Sequence, residues 1–216
     1  KKDDGSKAAR IEKVQKKLTD GYGKFVEVWK EAISGRERGV ENVIIPLELE
    51  VNGRLVTGLG APSGWENNIR LHRAWGAPML PGSGLKGLAA AYASRSFEGW
   101  ARTSADSAHK EDFHRVLFGD GGDDGNEGVV VFHDALYAPD NPNNGLHLDT
   151  MTVHHAEYYR GGDVPPADWD SPVPVPFLSV TGKFLGFLEG PRPWVNAALQ
   201  FLQQALAEEG FGAKTN

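Results

Sequence analysis

Residues 71–87 read Leu71-His-Arg-Ala-Trp-Gly-Ala-Pro-Met-Leu-Pro-Gly-Ser-Gly-Leu-Lys-Gly87, and the fold turns on how this stretch is understood. Its second half, Gly82-Ser-Gly84-Leu-Lys-Gly87, satisfies the pattern GxGxxG and opens a helix. Leu85, Leu88, Ala89, Tyr92 and Ala93 recur at three- and four-residue spacing, with Ser83 placed to cap the start. A dinucleotide-binding loop, however, follows a buried apolar strand in a βαβ unit. Here Pro78 and Pro81 precede the glycines and forbid a central strand, and no second strand ends in an acid about 20 residues later. The Walker pattern is missed as well, since neither Lys-Ser nor Lys-Thr follows the last glycine. What survives is a glycine-rich turn feeding a helix start, where unpaired amides and the positive end of the helix dipole suit a phosphate, with Lys86 in the first turn.

Around this turn the candidate phosphate ligands are Arg70, His72 and Arg73 in the preceding loop, then Gly82, Ser83, Gly84 and Lys86. A second glycine-bearing loop just beyond a helix, Gly210-Phe-Gly212-Ala-Lys214, adds Gly210, Gly212 and Lys214. Glycines let a backbone approach a polyanion closely, which is the physical reason common to both loops. A plain tight turn with Lys86 in solvent is the bland alternative.

Further out, Ile11, Val14 and Leu18, then Phe25, Val28, Trp29 and Ala32, predict two short helices over 7–34, broken at Gly21-Tyr22-Gly23. Residues 43–51 begin apolar and then alternate, as a half-buried strand does, with Pro46 near its start. The Asn52-Gly53 pair predicts a hairpin returning through Arg54 to Leu59. Residues 60–83 and 119–128 read as loops, Phe113 to Phe118 as a short apolar turn, and Val129 to Tyr137 as a strand. His147 to Tyr159 reads as extended and aromatic, and Phe177 to Leu188 as two short strands joined at Thr181-Gly182. Trp194 to Leu206 reads as an amphipathic helix between Pro191-Arg-Pro193 and Gly210. The sequence stops where another strand could begin. Helices that follow strands without strict alternation indicate an α+β chain.

Composition narrows the function classes. The chain has 216 residues, 40% hydrophobic and 24% charged, which suits one folded domain with insertions. It has no Cys, so disulfides, Cys-ligated zinc, iron–sulfur clusters and thiol nucleophiles are out. No apolar run approaches the roughly 18 residues of a spanning helix and the Lys-rich start lacks a signal-peptide core, so a soluble, cytoplasmic protein without a membrane partner is expected. Lys in place of Met at position 1 points to a trimmed or incompletely seen N-terminus. The net charge of −6 hides an asymmetry: residues 53–102 carry +4 and residues 103–170 carry −11. A locally positive surface remains open to phosphate, and the acidic stretch reads either as a solvated insertion or as a contact for a basic partner.

His133-Asp134, His147, Asp149, His154, His155 and Glu157 invite a metal reading, but adjacent His154 and His155 in an extended segment face opposite ways and cannot chelate together. No metal and no cofactor is expected. The same stretch ends in Tyr158-Tyr159-Arg160, and planar side chains beside His and Arg are what stack on unpaired bases, so His154, His155, Tyr158 and Tyr159 join the candidate RNA contacts. Ordinary hairpin packing is the competing reading.

These segments resemble the RAMP superfamily, the repeat-associated proteins of CRISPR ribonucleoproteins. The resemblance rests on residues 71–87, on Leu117-Phe-Gly119 followed by Gly128-Val-Val-Val-Phe-His-Asp-Ala135, and on Gly210-Phe-Gly-Ala-Lys-Thr215. Within it, Met151-Thr-Val-His-His-Ala-Glu-Tyr-Tyr159 and Val175-Pro-Phe-Leu-Ser-Val180 are similar to segments of the sixth-subunit family of type III-B, or Cmr, effector complexes.

The resemblance implies a ferredoxin-like, RNA-recognition-type βαββαβ core with insertions over 43–216, after an N-terminal helical extension at 1–42. An insertion at 99–128 and a thumb hairpin at 144–162 are expected within it. It implies a non-catalytic subunit holding guide RNA near its 3′ end and the paired target RNA, beside the other subunits of the complex. Two rivals remain: a metal-independent endoribonuclease of the same superfamily using His72 or His154, and a protein-only adaptor.

Overall fold

A computed structural model of the chain describes residues 21–36, 39, 41–59, 68–100, 112–120, 125–139, 145–159, 161, 165, 167 and 170–213. In chain order its elements are α1 (Gly23–Ser34), β1 (Asn42–Glu50), β2 (Met79–Leu80), α2 (Gly82–Ser96), a 3-10 turn at Glu98–Trp100 and α3 (Phe113–Phe118). They continue with β3 (Val131–Phe132), β4 (Ala135–Ala138), β5 (Gly145–Val153), α4 (Ala156–Tyr159), β6 (Val173–Thr181), β7 (Lys183–Pro191) and α5 (Arg192–Glu208). The second of the two expected N-terminal helices is α1; the first lies outside the described residues.

The main sheet runs β1-β7-β4-β2, with β3 also on β7 and every pairing antiparallel. Val43, Ile45, Leu47 and Leu49 of β1 pack on the core in strict alternation. Pro46 cannot donate to a ladder, and β1 is an edge strand with β7 on one side. The two prolines flanking β2 likewise leave room only for a two-residue strand at the opposite edge.

One layer of helices covers this sheet. Leu85, Ala89 and Ala93 of α2 and Val195, Ala198, Leu202 and Ala205 of α5 are fully or almost fully buried. The alanines allow the two helices to approach closely. Their far ends are tied by the Tyr92 hydroxyl, which donates to Glu208 Oε1 at 2.8 Å, and by Arg95 on Glu209. Phe184 and Leu188 of β7 join the core, whereas Phe187 lies on the other face of the strand with its ring 5.1 Å from Trp29 of α1. So α1 packs on the second face of the sheet.

The strand expected over 129–137 is broken. Phe132 pairs with Leu188 and Leu136 with Leu185, so four steps along one strand match three along the other. That single extra residue is a β-bulge at His133-Asp134. The polar pair interrupting an apolar run is its sequence signature.

Three expectations are corrected. Residues 54–59 do not return along β1, whose inner edge pairs with β7 over its full length. The chain turns at Gly53 (φ +120°), and Leu55 bridges Val180 instead. The hairpin is also larger than 144–162: β5 pairs with β6 from Gly145↔Thr181 to Val153↔Val173 as a two-stranded arm, and His154 to Tyr159 lie beyond its last pair. Finally, His147 to Tyr159 is not extended throughout, since α4 closes the segment.

Candidate nucleic-acid interface

Three consecutive buried residues, Leu55, Val56 and Thr57, organise the glycine-rich end of the molecule. Leu55 exchanges both backbone hydrogen bonds with Val180 of β6, at 3.0 and 2.8 Å. The Val56 carbonyl accepts from Ala213 N–H, and the Thr57 carbonyl accepts from Arg70 N–H, each at 2.8 Å. Successive carbonyls of an extended chain point opposite ways, so one short segment gathers the arm, the C-terminal glycine loop and the Arg70 loop. The hairpin reading of 54–59 missed this hub, and nothing in its composition marks it.

The two glycine-bearing bends meet. A Cβ on Gly84 would lie 3.0 Å from the Phe211 ring, and one on Gly212 (φ +107°) would lie 2.6 Å from the Val56 carbonyl oxygen. Arg70 joins them because Met79 N–H donates to Arg70 O at 3.2 Å, three residues before α2 begins. Arg70, Arg73 and Ser83 are exposed and Lys86 is half-buried. Gly210, Gly212, Gly82 and Gly84 therefore share one end with Arg70 and Lys86. Lys214 lies outside the described residues.

Ser83 does not cap α2. The helix starts two residues earlier, at Gly82, with Pro81 in extended conformation at the cap position and no side-chain bond from it. The capping acceptor comes from across the fold: Gly82 N–H donates to Asp134 Oδ1 at 2.7 Å. The bulge aims that carboxylate, and Gly82 must be glycine because a Cβ there would fall 2.0 Å from the Phe132 carbonyl oxygen. One of the amides assigned to an anion is therefore already occupied by a protein anion. Sequence reasoning placed Asp134 among metal candidates and missed this role.

His72 is built into an aromatic cluster: its ring lies 5.4 Å from Phe25, which lies 5.4 Å from Trp75, with Tyr22 5.9 Å from Trp75. Its Nδ1 accepts from Ala74 N–H at 3.4 Å. Tyr22 is fully buried, and its burial pushes the phenol well above its usual range.

The histidine–carboxylate constellation is dispersed rather than assembled. His133 Nε2 meets Glu189 Oε2 at 2.9 Å, and Arg36 reaches the same oxygen at 3.5 Å. His147 Nε2 meets Thr181 Oγ1 at 2.9 Å, Ser179 Oγ donates to Asp149, and Arg54 stands 3.8 Å from Asp149. Burial and the Arg54 charge hold His147 below its ordinary value of 6.5, against the smaller pull of Asp149. Among the described residues no group of three metal-ligating side chains converges.

His154, His155, Tyr158 and Tyr159 stand apart at the far end of the arm. Seven residue steps lead from Val180 at its base to Val173, roughly 24 Å at about 3.4 Å per step. His155 Nδ1 meets Asp170 Oδ2 at 2.8 Å, and that contact, with the Ala167 amide, pulls Asp170 below its ordinary carboxylate value. His154, Tyr158 and Tyr159 are exposed, the two tyrosine rings 5.7 Å apart and edge-on. The sequence-predicted residues thus form two groups, one at the glycine-rich end and one at the arm tip.

A cleft of about 810 Å³ opens beside the first group, between the end of β1, the Asn52-Gly53 bend, Phe177 and the Gly210–Ala213 loop. It is lined mostly by apolar side chains, with Glu48, Glu50 and Arg54 among its polar ones.

Comparison with known proteins concerns the chain as a whole. The chain is 30% identical to the CRISPR system Cmr subunit Cmr6 of Pyrococcus furiosus across 78% of its own length, and it spans 64% of that relative. A chain in the cryo-electron-microscopy structure of a type III-B Cmr-beta complex bound to cognate target RNA shares the fold, with a TM-score of 0.64 at 18% identity over 90% of this chain and 61% of that one. The crystal structure of Cmr6 from Pyrococcus furiosus aligns at 27% identity and a TM-score of 0.43, over 82% of this chain and 95% of that one. No described helix is long and apolar enough to cross a membrane. A single family model spans residues 48–216, taking in the bulged strand, the glycine-rich helix start and the C-terminal glycine loop, and by it the chain belongs to the RAMP superfamily.

Proposed function

We propose that this chain is a non-catalytic RNA-holding subunit of a type III-B CRISPR ribonucleoprotein, working with the other subunits and with guide and target RNA. The observation that carries the reading is the meeting of the two glycine-bearing bends, Phe211 against Gly84, beside exposed Arg70 and half-buried Lys86. Arg70, Arg73, Lys86 and Lys214 take guide-strand phosphates near the 3′ end. The arm tip, with His154, His155, Tyr158 and Tyr159, is the thumb and touches bases of the guide–target duplex. The similarity to Cmr6 supports the choice of complex.

The core is ferredoxin-like on this reading. β1, α2, the bulged β3–β4 strand, β7 and α5 follow the βαββα order, and β1-β7-β4 has the matching neighbours. The outer edge of β1 is where the last strand of such a core pairs. The endoribonuclease alternative gains nothing from the geometry, because His72 packs on Phe25 and His154 sits at the arm tip.

Because Asp134 already holds Gly82 N–H, phosphate affinity comes chiefly from the cations. Glu substitutions at Arg70 and Lys86 in the assembled particle are expected to lower RNA retention and to flatten its salt dependence by about one unit of slope per lost contact. Ultraviolet crosslinking with peptide mapping locates the contacts. Wild-type retention by both variants at moderate salt overturns the phosphate roles.

A further inference from the structure

Among the described residues, the exposed large apolar side chains away from the arm tip are mostly scattered, as on any protein surface. Four are not. Phe113 (42% exposed) and Val116 (41%) lie three residues apart on one face of α3. Val129 (38%) is bound to them through its N–H, which donates to Val116 O at 2.9 Å. Val131 (50%) follows on the same side of the chain, since Val130 between them is 2% exposed and points into the core. The Phe113 ring is backed by Trp100 at 5.9 Å and Trp194 at 6.2 Å, so the patch is fixed from beneath by the core.

The chain neighbours of this patch are acidic. Asp112 caps α3 by accepting from Arg115 N–H, Asp120 follows α3, and Glu127 precedes Val129 and is exposed. The cation among them, Arg115, is bound to Asp120 at 2.8 Å. Contiguous apolar area on a soluble chain marks a contact surface, and a carboxylate rim selects its charge. Phosphates would be repelled here, and nothing along these residues matches the cation-bearing glycine-rich end.

We infer that Phe113, Val116, Val129 and Val131 form a docking surface for a partner protein that presents apolar side chains among Lys and Arg. It rests on the proposed function in that the partner is another subunit of the same particle.

The test co-expresses the full chain with the remaining subunits and guide RNA, purifies the particle through another subunit, and reads this chain's stoichiometry. Val116→Lys with Val129→Lys removes apolar area and sets like charge against the partner. Incorporation is expected to fall at least ten-fold while the melting temperature of the free chain stays within a few degrees. Glu127→Lys, at the exposed rim, is expected to weaken incorporation several-fold with no change in the apolar residues. Val28→Lys, at an exposed valine of α1 outside both surfaces, is expected to leave incorporation intact. If the Lys variants at 116, 127 and 129 enter the particle as the wild type does, the surface is overturned alone. If they gain RNA crosslinks at 116 and 129, the occupant is RNA and the inference falls. A wild-type chain that never joins the particle overturns the parent reading and this surface with it.

Discussion

Gly82 is held by two atoms from the same bulge: the Phe132 carbonyl leaves no room for a Cβ, and the Asp134 carboxylate takes its N–H. Gly82→Ala must push backbone against backbone, and a loss of about 3 kcal/mol or more is expected by chemical denaturation. Asp134→Ala deletes only the cap and is expected to cost about 1 kcal/mol, with Asn at 134 recovering most of it because it keeps the acceptor. If Asn also raises RNA retention, the carboxylate was competing with phosphate for that helix end. Gly119 (φ +74°) and Gly128 show the same economy of space: a Cβ on either would run into the other's neighbouring backbone at 2.4 and 2.3 Å. The glycines of this chain were legible as a pattern, but the reason for Gly82 was not. It depends on a residue 52 positions away that no local rule connects to it.

At the scale of elements, the periodic segments read correctly. The spacing of Leu85, Ala89 and Tyr92, and the prolines before Trp194, mark α2 and α5 because burial on one face imposes the 3.6 period. Pairings were less legible. Asn52-Gly53 has the local chemistry of a hairpin turn, yet β1 finds a longer partner in β7 and leaves Leu55 to bridge the arm at Val180. The arm itself makes a pH prediction. His147, at its base, is held below its ordinary 6.5 by burial and by Arg54. A depressed histidine stabilises the fold fully above its unfolded value and progressively less as pH falls below about 6.5. Amide protection along β5 and β6 is therefore expected to weaken from pH 7.5 to 5.0, and His147→Gln to remove that part of the trend. Protection that is flat across this range in the wild type would contradict it.

For the whole molecule, the charge asymmetry of the sequence has a counterpart on the folded surface. The +4 of residues 53–102 includes the exposed Arg70 at the glycine-rich end and the exposed Arg73, while acids border the Val116–Val131 patch. Retention of RNA by the assembled particle is expected to fall steeply with salt and to be tolerant of guide sequence, since backbone charge carries no base information. Measured as the loss of crosslinked RNA between low and moderate salt, a shallow response would argue for base stacking at the arm tip as the main grip. The dispersal of the histidines into separate pairs was out of reach of the sequence, because the partners Glu189, Thr181 and Asp170 lie 56, 34 and 15 residues away and meet their histidines only in the folded chain.

One joint ties these scales together. β6 of the arm passes into β7, at the centre of the main sheet, through the single residue Gly182 (φ +107°), whose carbonyl accepts from Val51 N–H at 3.0 Å. A longer connection would let the arm swivel independently. With a one-glycine splice, a tug at the tip is felt by the strand beneath both long helices, as a crowbar's load is felt at its fulcrum. Grafting an arm from a related protein onto this body would accordingly have to carry the Thr181–Lys183 splice with it, or the transplant would arrive without its leverage.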